Sequence, residues 1–156
     1  MVAGVALVLA VVCLATSLFL WRGADERQAT AADRLAASAA ASRVTETMLS
    51  YDYKSFDQHA SAVSALLAGS FRNEFVQAAS TVVKPLAVQN HAVVVAKVSK
   101  ALVMRTPGQA DIKILLFVDQ RTTSAKLARP QIDQNRVMLT MSAVDGRWLV
   151  SRIEAF

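Results

Sequence analysis

Helices packed on a curved antiparallel sheet, an α+β fold carried on an N-terminal membrane anchor, is the architecture the sequence predicts. Three observations predict it. Residues Val2–Trp21 carry no charge, and Thr16 and Ser17 are their polar side chains. Residues 24–85 keep a helical period, interrupted at Tyr51-Asp52-Tyr53 and at Gly69. From residue 91 the apolar period changes to two, with no helical stretch between the strand-like runs. Strands joined only by short turns must run antiparallel, and a sheet with one apolar face needs a layer of helices to cover it.

The anchor comes first. A helix rises about 1.5 Å per residue, so Val2–Trp21 spans roughly 30 Å, the thickness of a bilayer's hydrocarbon core. Trp21 sits at its boundary, where an aromatic ring with one polar edge is favoured, and Arg22, Asp25, Glu26 and Arg27 end it. A cleaved signal peptide is the poorer reading. No Lys or Arg precedes the apolar core, the core is too long, and Leu18-Phe19-Leu20-Trp21 lacks the small-x-small pattern of a cleavage site. Val12-Cys13 lacks the small residue that a lipoprotein site places before its cysteine. A basic stretch lost upstream of Met1 would leave the same pattern. Arg22, Arg27 and Arg34 all follow the span, which taken alone argues weakly for a cytoplasmic body. The expected division is an anchor over 1–21, an alanine-rich helical stalk over 22–50 and an α+β domain over 51–156.

The stalk, ADERQATAADRLAASAAASRVTETML over 24–49, contains no Gly or Pro and is rich in alanine, the best helix former. Its apolar stripe is thin, Leu35, Val44, Met48 and Leu49, so the first half is expected to stand free and the second half to begin packing on the domain. Ser55 is placed to cap a second helix with Gln58 in capping-box position, and Gly69 to end it. A third helix from Ser70 presents Phe71, Phe75, Ala78 and Val82 on one face and is expected to close at Pro85. Four strands follow: His91–Met104, Asp111–Asp119, Asn135–Val144 and Arg147–Ile153. Ile112, Ile114, Leu116 and Val118 share one face of the second, and Val137, Leu139, Met141 and Ala143 one face of the third. Thr106-Pro107-Gly108-Gln109 and Asp145-Gly146 supply turns.

Composition narrows the chemistry. The 156 residues carry a net charge of +5, and about 135 of them remain beyond the anchor, enough for one core. Cys13, the sole cysteine, lies in the anchor, so no internal disulfide and no cysteine metal site exists. Residues 1–90 hold seven basic and seven acidic side chains, whereas 91–156 hold ten and five, so the excess charge belongs to the strands. On an anchored domain such a face suits anionic headgroups or an acidic protein better than nucleic acid, and no nucleic-acid partner is expected.

An ordered set of short segments adds a resemblance. The alanine-rich helix is followed by Leu49-Ser50-Tyr51-Asp52-Tyr53, Ala68-Gly69-Ser70-Phe71, Val83-Lys84-Pro85, Phe117-Val118-Asp119-Gln120 and Asp145-Gly146-Arg147-Trp148-Leu149-Val150. The chain thereby resembles the Mce-associated membrane proteins of actinobacteria, over nearly its whole length. The closing Asp-Gly-x-Trp-Leu-Val pattern is shared widely with nuclear-transport-factor-2-like and SnoaL-like domains. The resemblance implies a cone-shaped α+β domain outside the cytoplasm on a single-pass anchor, against the weak charge-based orientation. It implies a non-enzymatic accessory subunit of a Mce-type lipid-import transporter, with permease or Mce subunits and membrane lipid as partners. It transfers no catalytic residue and no cofactor, and no small-molecule substrate is expected.

The alternative is a tethered SnoaL-like enzyme or small-ligand-binding domain. Tyr51, Asp52, Tyr53 and Trp148 are the candidate pocket residues, because an Asp base beside a Tyr donor suits proton abstraction next to a carbonyl. Each has a plainer reading: the tyrosines pin a helix end on the sheet, Asp52 accepts a turn bond, and Trp148 packs in the core or at the sheet edge. His59 reads as surface helix and His91 as a strand start, too far apart and too poorly supported by carboxylates for a metal site. For partner binding, Gly4, Ala6 and Ala10 offer the small side chains that let transmembrane helices approach closely, and Ala24–Ala41 extends that surface beyond the bilayer.

Overall fold

The computed structural model describes residues 30–104 and 110–156. The anchor, the first residues of the stalk, Gly4, Ala6, Ala10 and the turn at 106–109 lie outside the described residues. Among the described residues no helix is long and apolar enough to cross a membrane.

The chain runs α1 (Ala31–Leu49), β1 (Tyr51–Asp52), α2 (Phe56–Ser64), α3 (Gly69–Ala78), a π-helical turn (Ala79–Val83), α4 (Lys84–Asn90), β2 (Val93–Val103), β3 (Ile112–Thr123), β4 (Gln131–Val144) and β5 (Arg147–Ala155). The strands form one antiparallel sheet in the order β1-β2-β3-β4-β5, the expected meander with one short strand added at its edge. The sheet curls as a half-barrel around the helices, the nuclear-transport-factor-2-like fold.

From Ala37 onward the alanine-rich helix packs on the domain, as expected of its second half. Ala37 and Ala41 are wholly buried, with Val44 and Met48 beside them, against Ile114, Leu116, Leu139 and Met141. Spacings of four, three and four put these residues on one helical face. Small side chains there let the helix lie close on the sheet, so these alanines are spent inside the domain. Leu35, placed in the stripe by its apolarity, is 74% exposed. Thr30 caps α1: its hydroxyl accepts from Asp33 N at 3.1 Å and Asp33 Oδ2 accepts from Thr30 N at 3.0 Å.

The α1 helix also guards a sheet edge. Beyond its short pairing with β1, strand β2 would present free N–H groups. Ser50 Oγ accepts from Ala96 N at 2.9 Å and Glu46 Oε1 from Val98 N at 3.0 Å. At the opposite edge, Val150 N donates to Leu66 O and Ala68 N to Val150 O, so the α2–α3 connection covers part of β5.

Three helix boundaries differ from expectation. Ser55 sits at the start of α2 without any side-chain cap bond; Asp52 does the local work instead, its Oδ1 accepting from Lys54 N at 2.9 Å. Helix α2 ends at Ser64, and Gly69, at φ +59°, opens α3 where it was expected to close α2. Pro85 does not end the third helix. The π turn widens the ring ahead of it, with Lys84 N bonding back to Ala79 O, which is where a helix can accept a residue without an N–H. The extra residue also resets the phase: Phe75, Ala79, Val83 and Ala87 face inward, while Val82, expected there, is 55% exposed. The helix ends only at His91, in the left-handed conformation at φ 48°.

In the sheet, Ile112, Ile114, Leu116 and Val118 are buried together as their alternation predicts, and so are Val137, Leu139 and Met141, but Ala143 is exposed. A bulge at Ser151, against Thr140/Met141, shifts the period in β5, so Val150 and Ile153, three residues apart, both pack on the main core.

Candidate functional site

The end of α1, with α2, α3 and the far end of the sheet, encloses a cavity of about 510 Å³. Its wall is apolar and aromatic: Met48 and Leu49 from α1, Phe56 and Ala60 from α2, Phe71 and Phe75 from α3, and Val83 from the π turn. Four lining residues carry polar groups, Tyr51, His59, Glu74 and Gln120. The one-turn spacing of Phe71 and Phe75 on α3, with the phase reset in the π turn, is what brings both rings and Val83 to the same space. Phe56 and Ala79 are buried, whereas Glu74 and Ala78 on α3 are exposed, so the cavity opens beside Glu74.

The candidate residues divide. Tyr51 lines the cavity, its ring meeting Phe56 edge-on at 5.5 Å, and burial raises its phenol pKa, so it stays protonated. Asp52 does not line this cavity; it accepts the Lys54 turn bond, and its carbonyl accepts from Ser55 N at 3.1 Å. Tyr53 lies at the outer end of the second core cluster, its ring tilted 33° against His91 at 5.0 Å, with Lys54 above it at 5.7 Å. Trp148 is half-buried against the main core, opposite Ala143, and forms no part of the cavity wall. The structure therefore brings one of the four to the site.

His59, read from sequence as a surface residue, is instead half-buried in the cavity wall. Burial lowers its pKa, opposed by a hydrogen bond to the Thr47 backbone, and its Nε2 is buried with no hydrogen-bond partner. With the Thr47 bond taken by Nδ1–H, the neutral ring leaves Nε2 as an acceptor. Gln120 is fixed at the back of the site, donating to Leu49 O at 3.4 Å and accepting from Asn135 Nδ2. Among the described residues no hydrogen bond or ion pair joins Tyr51, His59 and Glu74, and no cluster of His, Cys, Asp or Glu is arranged to hold a metal. The signals missed from sequence were Glu74, on the exposed flank of an apolar stripe, and Gln120, which reads as an ordinary strand end.

A second surface lies on the outer face of the sheet. The register sets Leu102, Leu115 and Met138 side by side across three strands, and Lys100, Phe117 and Arg136 in the neighbouring row. Arg136 stands over the Phe117 ring at 5.8 Å. Lys113, Thr140 and Arg152 form the row beyond, so the basic strands read from sequence share one face with an apolar centre.

No family model matches the chain. The chain is 34% identical over 135 residues to the uncharacterized protein Rv1362c of Mycobacterium tuberculosis, covering 86% of itself and 61% of that protein, so it spans less than two thirds of that relative's length. It is 32% identical over 148 residues to the outer membrane protein Rv1973 of the same organism, covering 95% of itself and 90% of that protein. In fold it is similar to the periplasmic domain of DotI, with a TM-score of 0.65 at 12% identity over 76% of this chain and 91% of that one. It is similar also to CagV of Helicobacter pylori, a VirB8 homologue of a type IV secretion system, with a TM-score of 0.62 at 12% identity over 76% and 94% of the two chains. A scytalone dehydratase homologue from Novosphingobium aromaticivorans shares the fold, with a TM-score of 0.54 at 14% identity over 74% and 80%.

Proposed function

The chain belongs to the family of the Mycobacterium tuberculosis outer membrane protein Rv1973, and from that premise we propose that it is a membrane-tethered, non-enzymatic accessory subunit of a Mce-type lipid-import complex. Its α+β domain sits outside the cytoplasm on a single-pass anchor, and its partners are permease or Mce subunits and the lipid of the membrane. The observation that carries this reading is the uncharged Val2–Trp21 run placed shortly before a helix, α1, whose Ala37, Ala41 and Val44 are locked into the domain core. Nine residues, 22–30, separate that run from α1, a length that keeps the domain near the bilayer.

The fold is common to secretion-system components and a dehydratase homologue, so side chains must separate subunit from enzyme. They favour the subunit. Asp52, the base an enzyme of this type would need, is committed to a turn, and the cavity's Tyr51, His59 and Glu74 make no hydrogen-bonded pair. The order of sequence segments supports the Mce assignment.

Purification of the tagged full chain in a gentle detergent tests the reading. Permease or Mce proteins should copurify in defined stoichiometry, and a reporter active only in the cytoplasm should be silent when fused after Phe156. A free monomer from cells that express the transporter, or an active reporter, would overturn it.

A further inference from the structure

The apolar cavity has the dimensions and the wall chemistry of a binding site. Its volume of about 510 Å³ falls within the range of roughly 300–1,000 Å³ typical of small-molecule sites. At about 30 Å³ per non-hydrogen atom, the share a water molecule takes in the liquid, it holds roughly 17 such atoms. Phe56, Phe71, Phe75 and Val83 turn hydrocarbon toward that space. Burying an aliphatic chain there removes its apolar surface from water, which favours binding.

The polar groups choose the head. Glu74, at the exposed mouth, is the one charged residue in the wall among the described residues, and it is negative. A carboxylate or phosphate head beside it meets like charge, whereas a hydroxyl can donate to it in a charge-assisted bond. His59 Nε2 is buried behind the wall and offers no accessible acceptor, so the head group is chosen at Glu74. Among the described residues nothing in the wall is a cation, so none of them compensates an anionic head.

We propose that this cavity binds a neutral single-chain amphiphile, an aliphatic chain of about a dozen carbons ending in a hydroxyl, with the chain among the phenyl rings of α2 and α3 and the hydroxyl at Glu74. The proposal concerns a bound ligand, and it stands or falls apart from the accessory-subunit reading, which is tested by copurification.

The experiment uses the full chain reconstituted in phosphatidylcholine vesicles. The probe is dodecan-1-ol carrying a diazirine at mid-chain, compared with the equivalent dodecyl phosphate near neutral pH, and labelled peptides are mapped by mass spectrometry. The alcohol should label the segments around Phe56 and Phe71–Val83, about fivefold or more above the phosphate, the ratio set by roughly one like-charge contact. Glu74→Gln should bring the two probes together. Ala78→Trp, at the exposed mouth, should remove labelling of these segments while circular dichroism and melting stay those of the parent; Ala60→Leu serves if the tryptophan variant does not fold. Labelling confined to the anchor, equal labelling by alcohol and phosphate, or undiminished labelling in a folded filled variant would each overturn the proposal.

Discussion

His59 shows how far one residue's meaning depends on its surroundings. Its burial in the wall lowers its pKa from 6.5, because the charged ring loses hydration there. Between the folded pKa and 6.5 the unfolded chain therefore binds more protons than the native one. The stability this residue contributes is complete above pH 6.5 and falls as the pH drops below it. Melting temperature should decline on acidification through that window, and His59→Gln should flatten the decline. Equal slopes for parent and variant would contradict it. Sequence reading placed His59 on the surface because a histidine in a short amphipathic helix carries no local sign of which neighbours cover it. It also grouped Asp52 with the tyrosines by adjacency, whereas in β1 successive side chains point to opposite sides, sending Tyr51 to the cavity and Asp52 to the turn.

At the scale of elements, α1 serves as both core layer and edge cover. Ser50 supplies the acceptor for Ala96 N, and Ala96 is 1% exposed, so no water can replace it freely. Ser50→Ala should cost about 1–2 kcal/mol, the penalty of an unpaired buried N–H. Glu46→Gln should be milder, since its amide oxygen can still accept from Val98 N and only the 3.7 Å contact with Lys97 weakens. Chemical denaturation of the full chain measures both; a Ser50→Ala variant as stable as the parent would show that the edge bond contributes nothing. The helix and strand segments themselves were legible in sequence, because their periods are local. The π turn was not. A 3.6-residue period assigns Val82 inward, and only the packing of Phe75, Ala79, Val83 and Ala87 on Phe56, Ala92 and the tyrosines selects the wider turn.

At the scale of the molecule, the question is which surface meets a partner. Gly4, Ala6 and Ala10 are the small residues expected from sequence to pack against a partner's transmembrane helices, while Ala37 and Ala41 are already buried by the chain's own sheet. Replacing Gly4, Ala6 and Ala10 with leucine should preserve insertion and lower recovery of the copurified complex. If recovery is unchanged even when the whole anchor is exchanged, the docking surface lies elsewhere. The outer sheet face, with Lys100, Lys113 and Arg136 around Leu115 and Phe117, then becomes the surface to alter, by Lys100→Glu with Arg136→Glu.

By itself the sequence determined the class of the domain, the antiparallel meander, the buried faces of β3 and β4 and the concentration of positive charge on the strands. These follow from local periodicity, turn chemistry and counting. Tertiary structure alone decided that Ala37 and Ala41 are buried on the sheet, that a two-residue strand extends the sheet edge, and that Tyr51, His59, Glu74 and Gln120 share one cavity. These residues lie up to 69 positions apart, Tyr51 to Gln120, and side chains from four elements meet only when the sheet curls around the helices. Burial, and with it the choice between surface and site, is a property of that closure and is written in no local pattern.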